Sequence, residues 1–188
     1  MKNISIYRFI FLLFIFISCG TVLAQTNVNE SKTSEEDLEL NLEERVDPLP
    51  VNNSTYVDNM LSFAKTFLGT PYLSSGSSPT GFDCSGFVSY VLGNFGFDIV
   101  HSSYGMAEYG RTVKLSEARP GDLMFFKGSN SGSNRIGHVA IVYEVHPIDG
   151  IKFIHASTSK GIAIDQFNGS RYYVPRYVTT KRLDYGVE

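Results

Sequence analysis

A single cysteine heads an apolar run in Gly81-Phe82-Asp83-Cys84-Ser85-Gly86-Phe87-Val88. A thiol becomes a strong nucleophile once it loses its proton, and it needs a base to take that proton. The chain holds four histidines. Two lie in runs of strand character: His138 in Gly137-His138-Val139-Ala140-Ile141-Val142, and His155 in Phe153-Ile154-His155-Ala156-Ser157. A thiol, a base and a group that orients the base are the set needed for attack on a carbonyl carbon and acyl transfer through a thioester. Zinc is the competing use of Cys84, His138 and His155. A zinc site takes about four ligands, or three plus water, and no second cysteine or C-x-x-C spacing accompanies Cys84. No metal and no cofactor is expected.

The elements around these residues give the set its geometry. Phe87, Val88, Val91, Leu92 and Phe95 recur at helical spacing, and Gly96 supplies a stop. Cys84 thus falls at a helix N-terminus, where free N–H groups and the helix dipole would stabilise a thiolate. His138 opens one strand and His155 ends the next, with a turn over Pro147 to Gly150 between them. In an antiparallel hairpin such positions are neighbours. Gly137 allows close approach beside His138. An isolated strand histidine is commonly a hydrogen-bonded core residue; what points to chemistry is the agreement of three elements. His146, before Pro147, reads as an exposed turn residue, and His101 is open to either use.

Upstream, Val57, Met60, Leu61, Ala64 and Leu68 form a helical stripe behind a capping pattern at Thr55 and Asp58, ended by Gly69 and Pro71. A Gly/Ser-rich loop, Pro71 to Phe82, follows. Tyr104 to Tyr109 reads as a short third helix. Strands are expected at Leu123 to Phe126, His138 to Val145, Lys152 to Ala156, Ile162 to Ile164 and Tyr173 to Val178. Helices first and strands afterwards predict an α+β domain, with N-terminal helices packed on a C-terminal antiparallel sheet.

The chain has 188 residues and a formal net charge of -3. The acidic excess is local. Gln25 to Pro50 carries eight acidic residues against Lys32 and Arg45, whereas the stretch after Pro50 is almost neutral. No basic stripe suggests nucleic acid. Residues 1–24 read as an export signal: Lys2 and Arg8, then an apolar stretch from Phe9 to Ile17. Two ends are open. Ser18-Cys19 has the small-residue-then-Cys form of a lipoprotein box, with Cys19 lipidated; Val22-Leu23-Ala24 has the form of an ordinary signal-peptidase site. A cysteine in that place favours the first. Residues 25–52 read as an acidic, disordered linker, and 53–188 as the folded domain. Of the two cysteines only Cys84 lies in that domain, so no internal disulfide is expected.

Pro71-Tyr72, Gly76, Ser78-Pro79-Thr80-Gly81-Phe82-Asp83-Cys84-Ser85-Gly86-Phe87-Val88, Pro120-Gly121-Asp122-Leu123, Gly137-His138-Val139 and Phe153-Ile154-His155-Ala156-Ser157 occur in that order. Together they resemble the NlpC-type cell-wall cysteine peptidase family, whose fold is papain-like. The resemblance implies that Cys84 is the nucleophile, His138 the base and His155 its orienter. It implies an oxyanion hole from the Cys84 N–H with Tyr72 nearby, and Tyr72, Asp83 and Ser85 as substrate-binding residues. Helix capping is the alternative use of Asp83 and Ser85. The resemblance further implies a peptidoglycan endopeptidase, cutting D-glutamyl-diamino acid or D-alanyl-diamino acid bonds. It would be a monomeric, exported envelope protein facing the periplasm, tethered to the membrane through a lipid on Cys19 or else soluble. The chain departs from the family pattern at Ser74 and Ser75 and at His101 to Met106, which bears on specificity. The rival readings are an amidase or acyltransferase with the same trio, and a non-catalytic wall-binding lipoprotein.

Overall fold

The computed structural model describes residues 53–128, 133 and 135–186. The export segment, Cys19 and the acidic linker lie outside the described residues. Helix α1 (Asn53–Lys65) begins two residues before the capping pattern expected at Thr55. Its Met60, Leu61 and Ala64 are buried, whereas Leu68, beyond the helix end, is exposed. A two-stranded ribbon, β1 (Ser77–Ser78) and β2 (Gly81–Phe82), leads into helix α2 (Cys84–Asn94). There Phe87, Val88, Val91 and Leu92 are fully buried, as the spacing predicts. Helix α3 (Ser103–Met106) is shorter than the stretch expected to Tyr109.

Six strands follow: β3 (Arg111–Val113), β4 (Leu123–Lys127), β5 (Ile136–His146), β6 (Gly150–Ser157), β7 (Gly161–Gln166) and β8 (Tyr177–Arg182). They form one antiparallel sheet in the order β3-β8-β4-β5-β6-β7. The last strand, expected at Tyr173 to Val178, runs over Tyr177–Arg182. Pro175 instead sits in a short 3-10 turn, Val174–Arg176, because it has no N–H to give a ladder, and pairing starts at Tyr177. The edge strand β3 was not foreseen; three residues carry too little alternation to show.

The central strand β4 is buried on both faces, and its side chains alternate between two cores. Leu123 and Phe125 join Val139, Ile141, Ile154 and the helices on one face. Met124 and Phe126 join Ala140, Val142, Phe153 and Phe167 on the other, under Tyr173 and Tyr177. Period-2 alternation carries the histidines with it. His138 pairs with Phe126 across the ladder, and His155 follows Phe153 by two residues. Both therefore share the aromatic face of the sheet, not the helix-covered one. The turn Pro120-Gly121-Asp122 is tied back to the sheet by Asp122. Arg182 Nε donates to its Oδ1 at 2.8 Å and Arg182 Nη2 to its Oδ2 at 2.7 Å. Asp122 is almost wholly buried, and its backbone oxygen accepts from Val142 N–H.

Candidate active site

Cys84 is the first residue of α2, and Asp83 is its N-cap. Asp83 Oδ1 accepts from Gly86 N–H at 2.7 Å and from the Ser85 hydroxyl at 3.0 Å. His101 Nε2 lies 2.9 Å from the same oxygen. Helix start and His101 loop pack so closely that a Cβ at position 86 would meet the Gly76 carbonyl and the His101 ring. Glycine is the residue that allows this approach. The preceding loop is latched to the same place: Leu73 N–H donates to Phe82 O and Phe82 N–H to Pro71 O. Those bonds set Tyr72 beside the cysteine.

The helix packs on one face of the sheet and the histidines lie on the other, and Cys84 lines the same cleft as the histidines at the rim, where β5 begins. Its Sγ lies 4.0 Å from the Gly137 carbonyl oxygen. The close approach expected at Gly137 is present. A Cβ there would fall 2.6 Å from Gly128 Cα, on the neighbouring strand's exit. The register Ile141↔Ile154 makes His138 and His155 diagonal neighbours across β5 and β6. Their facing nitrogens, His138 Nε2 and His155 Nδ1, are 3.0 Å apart. His155 Nε2 lies 3.1 Å from Asp165 Oδ2. Asp165 also accepts from the Tyr173 hydroxyl at 3.0 Å and, through Oδ1, from Lys160 Nζ at 2.6 Å. A line of contacts thus runs from His138 through His155 to an ion pair at the protein surface.

These groups open on a cleft of about 550 Å³ whose walls include Tyr72, Cys84, His138, His155, Asp165 and Arg176. Asp83 and Ser85 are not among the residues lining it. Asp83 serves as the cap at Gly86 N–H, and the Ser85 hydroxyl donates to that same carboxylate. His146 ends β5, and its Nδ1 accepts from Ile148 and Asp149 N–H in the turn. Asp165 and Tyr173 are the site residues the sequence reading missed. A signal existed: three residues, Thr158 to Lys160, join β6 to β7, so the register Phe153↔Asp165 puts Asp165 on the face of His155.

The electrostatics differ from the expected stabilised thiolate. Burial pushes the Cys84 thiol up; the Val139 N–H pulls it back, and the Asp83 carboxylate raises it again. The capping carboxylate offsets the helix N-terminus that would have favoured charge. Burial, and then the neighbouring His155, push His138 down to about 3. The resting pair is therefore a neutral thiol beside a neutral imidazole. Tyr72 is shifted up, first by burial and then by Cys84 and Asp83, so its hydroxyl stays protonated and able to donate. Asp165 is held well below the usual carboxylate range, chiefly by its hydrogen bond with His155, despite some burial.

Residues 69–182 match the NlpC/P60 family model. This chain belongs to the NlpC/P60 family, and its fold is papain-like. It is 36% identical over 116 residues to the murein DD-endopeptidase MepS/murein LD-carboxypeptidase of Escherichia coli K12, covering 61% of this chain and 56% of that one. It is 37% identical over 134 residues to the probable peptidoglycan endopeptidase LytE of Bacillus subtilis, covering 69% of this chain and 35% of LytE. The match thus spans about half or less of either relative. Among solved structures, an NLP/P60 family protein of Staphylococcus aureus described as similar to lipoprotein superposes with a TM-score of 0.61 at 29% identity, covering 73% of this chain and 44% of that one. The NlpC/p60 domain of the peptidoglycan hydrolase SagA gives 0.53 at 27%, covering 68% and 98%.

Proposed function

We propose that this chain is a cysteine peptidase that hydrolyses amide bonds in peptidoglycan peptides. The observation that carries the reading is the array Cys84–His138–His155 lining one open cleft. The named activities of MepS and LytE support the choice of murein as substrate. In this reading His138 takes the Cys84 proton as sulfur attacks the scissile carbonyl carbon, and the imidazolium forms as the tetrahedral oxyanion forms. His138 then gives that proton to the leaving amine, leaving a thioester. Water, deprotonated by His138, attacks the thioester and releases the new carboxylate and the free thiol. The Cys84 N–H and the Tyr72 hydroxyl are the donors assigned to the oxyanion; removal of one such donor costs about 3 kcal/mol. His138 Nε2 and His155 Nδ1 face each other, which favours the orienting role of His155 over convergence of both rings on an ion.

Digestion of purified peptidoglycan, with mass spectrometry of the products, tests the activity. The wild-type chain should release fragments and Cys84→Ala should release none. Equal fragments from both would sink the mechanism, and fragment masses name the bond. Binding without turnover by wild type would instead support a wall-binding protein.

The placement we assign is the cell envelope, after export by residues 1–24 and with Cys19 carrying a lipid. The enzyme would act as a monomer on the end of its acidic tether. Among the described residues no helix is long and apolar enough to cross a membrane. Cys19→Ser should shift the protein from the membrane to the soluble fraction; unchanged fractionation would favour cleavage after Ala24.

A further inference from the structure

Two neutral imidazoles joined by one hydrogen bond can run in either direction. In one, His138 carries its proton on Nε2 and donates to a bare His155 Nδ1. In the other, His155 Nδ1–H donates to His138 Nε2, and the proton of His138 sits on Nδ1. Nε2 of His138 is engaged with His155 in both cases, so Nδ1 is the nitrogen left for Cys84. Only the first direction leaves that nitrogen free to accept a proton. The choice between them is made at the far end. Asp165 receives Lys160 Nζ on Oδ1 and the Tyr173 hydroxyl on Oδ2, and His155 Nε2 lies 3.1 Å from Oδ2. The Lys160 cation and the Tyr173 hydroxyl favour its ionised form, and an ionised carboxylate only accepts. It obliges His155 to hold a hydrogen on Nε2, and in its neutral form His155 then has Nδ1 bare.

We propose that Asp165, held by Lys160 and Tyr173, is a positioning residue that sets the tautomers of both histidines, so that His138 presents a bare Nδ1 to Cys84. The proposal rests on the reading of Cys84 and His138 as nucleophile and base, and extends the array by one charged member. Protons balance without any change at Asp165. The Cys84 proton moves to His138 Nδ1 and leaves again with the amine, while the Nε2–H bonds persist. During that interval the carboxylate stabilises the imidazolium through one intervening ring.

Lys160 makes the proposal testable in a way that a packing role would not reproduce. In Asp165→Asn the amide oxygen must face Lys160, which has only donors. The amide NH2 then faces His155 Nε2 and reverses the relay. With the full chain and purified peptidoglycan, kcat should fall by about 100-fold with KM within twofold. Adding Lys160→Gln frees the amide to turn over and should recover at least about tenfold of that loss. A fall in kcat of less than tenfold, or a loss that Lys160→Gln does not relieve, overturns the proposal. A second measurement needs no variant of the relay and no turnover. In the full wild-type chain with 15N-labelled histidine, NMR should find the ring proton of both His138 and His155 on Nε2. His101→Gln and His146→Gln chains identify the other two signals. A proton on Nδ1 of either ring overturns the proposal even if Asp165→Asn fails to fold. Absence of murein fragments from the wild-type chain would sink the peptidase reading while leaving the tautomers to be decided by NMR.

Discussion

At the scale of single residues, the sulfur and the imidazole sit in surroundings that disfavour charge on both. The Cys84 thiol is raised, first by burial, and His138 is lowered, first by burial. An ion pair between them forms only when something repays that loss of solvation, and the developing oxyanion with its donors is the candidate. Two expectations follow. In the free chain, the rate of Cys84 alkylation by iodoacetamide should inflect above the ordinary thiol value of about 8.5. Peptide mass spectrometry separates Cys84 from Cys19, and an inflection below pH 7 would contradict the surroundings described. Cys84→Ala should lower the rate of peptidoglycan cleavage by at least about 1,000-fold, since in the proposed mechanism the removed group makes the covalent bond.

The elements position these residues by close packing of backbone. Helix α2 reaches the rim of the sheet because Gly86 lets its first turn lie against Gly76 and His101. Gly86→Ala forces these apart and should cost about 1–3 kcal/mol in urea unfolding. It should also reduce activity, because Cys84 lies on the same turn; unchanged stability would show that the loop yields freely. The second tie is Asp122, which joins the turn before β4 to Arg182 on β8. Its carboxylate is almost wholly buried and Arg182 is only slightly exposed, at 18% of its side chain. Asp122→Ala would leave Arg182 with the Glu117 carbonyl as its remaining partner and should destabilise by about 1–2 kcal/mol. A change below about 0.5 kcal/mol would mean that water replaces the carboxylate.

For the whole molecule, acid is the condition that exposes how the site is held. Asp165 and Asp83 both have carboxyls lowered in the folded state, through His155, Lys160 and Tyr173 in one case and, against the opposing effect of burial, Gly86, His101 and Ser85 in the other. A carboxyl whose folded value is depressed contributes stability that is fully present above its unfolded value of about 3.9 and is lost as pH falls below it. Unfolding free energy should therefore fall as pH drops from about 5 towards 2. Asp165→Asn should make that decline shallower, since one of the groups that binds a proton on unfolding is gone. Urea titrations at successive pH values read this directly, and an identical slope in both chains would remove Asp165 from the account.

Local pattern carried much of this in the amino-acid sequence alone. The apolar spacing of α2, its stop at Gly96, the apolar runs of strands β4 to β7 and the closeness of His138 and His155 follow from rules that act over a few residues. The three residues proposed for chemistry are legible for the same reason: a polar cysteine at a helix start and histidines at strand ends stand out against apolar runs. Tertiary structure decided what depends on distant partners. Pro175 moved the last strand because a ladder position needs an N–H. Asp83 serves as the helix cap because Gly86 N–H, the Ser85 hydroxyl and His101 converge on its one carboxylate oxygen. Asp165 joined the site because the β6–β7 register sets it on the face of His155. The charge state of Cys84 was decided last. Burial and the neighbouring Asp83 carboxylate together outweigh the helix terminus, and the larger of the two, burial, exists only once the sheet and helix have closed on each other.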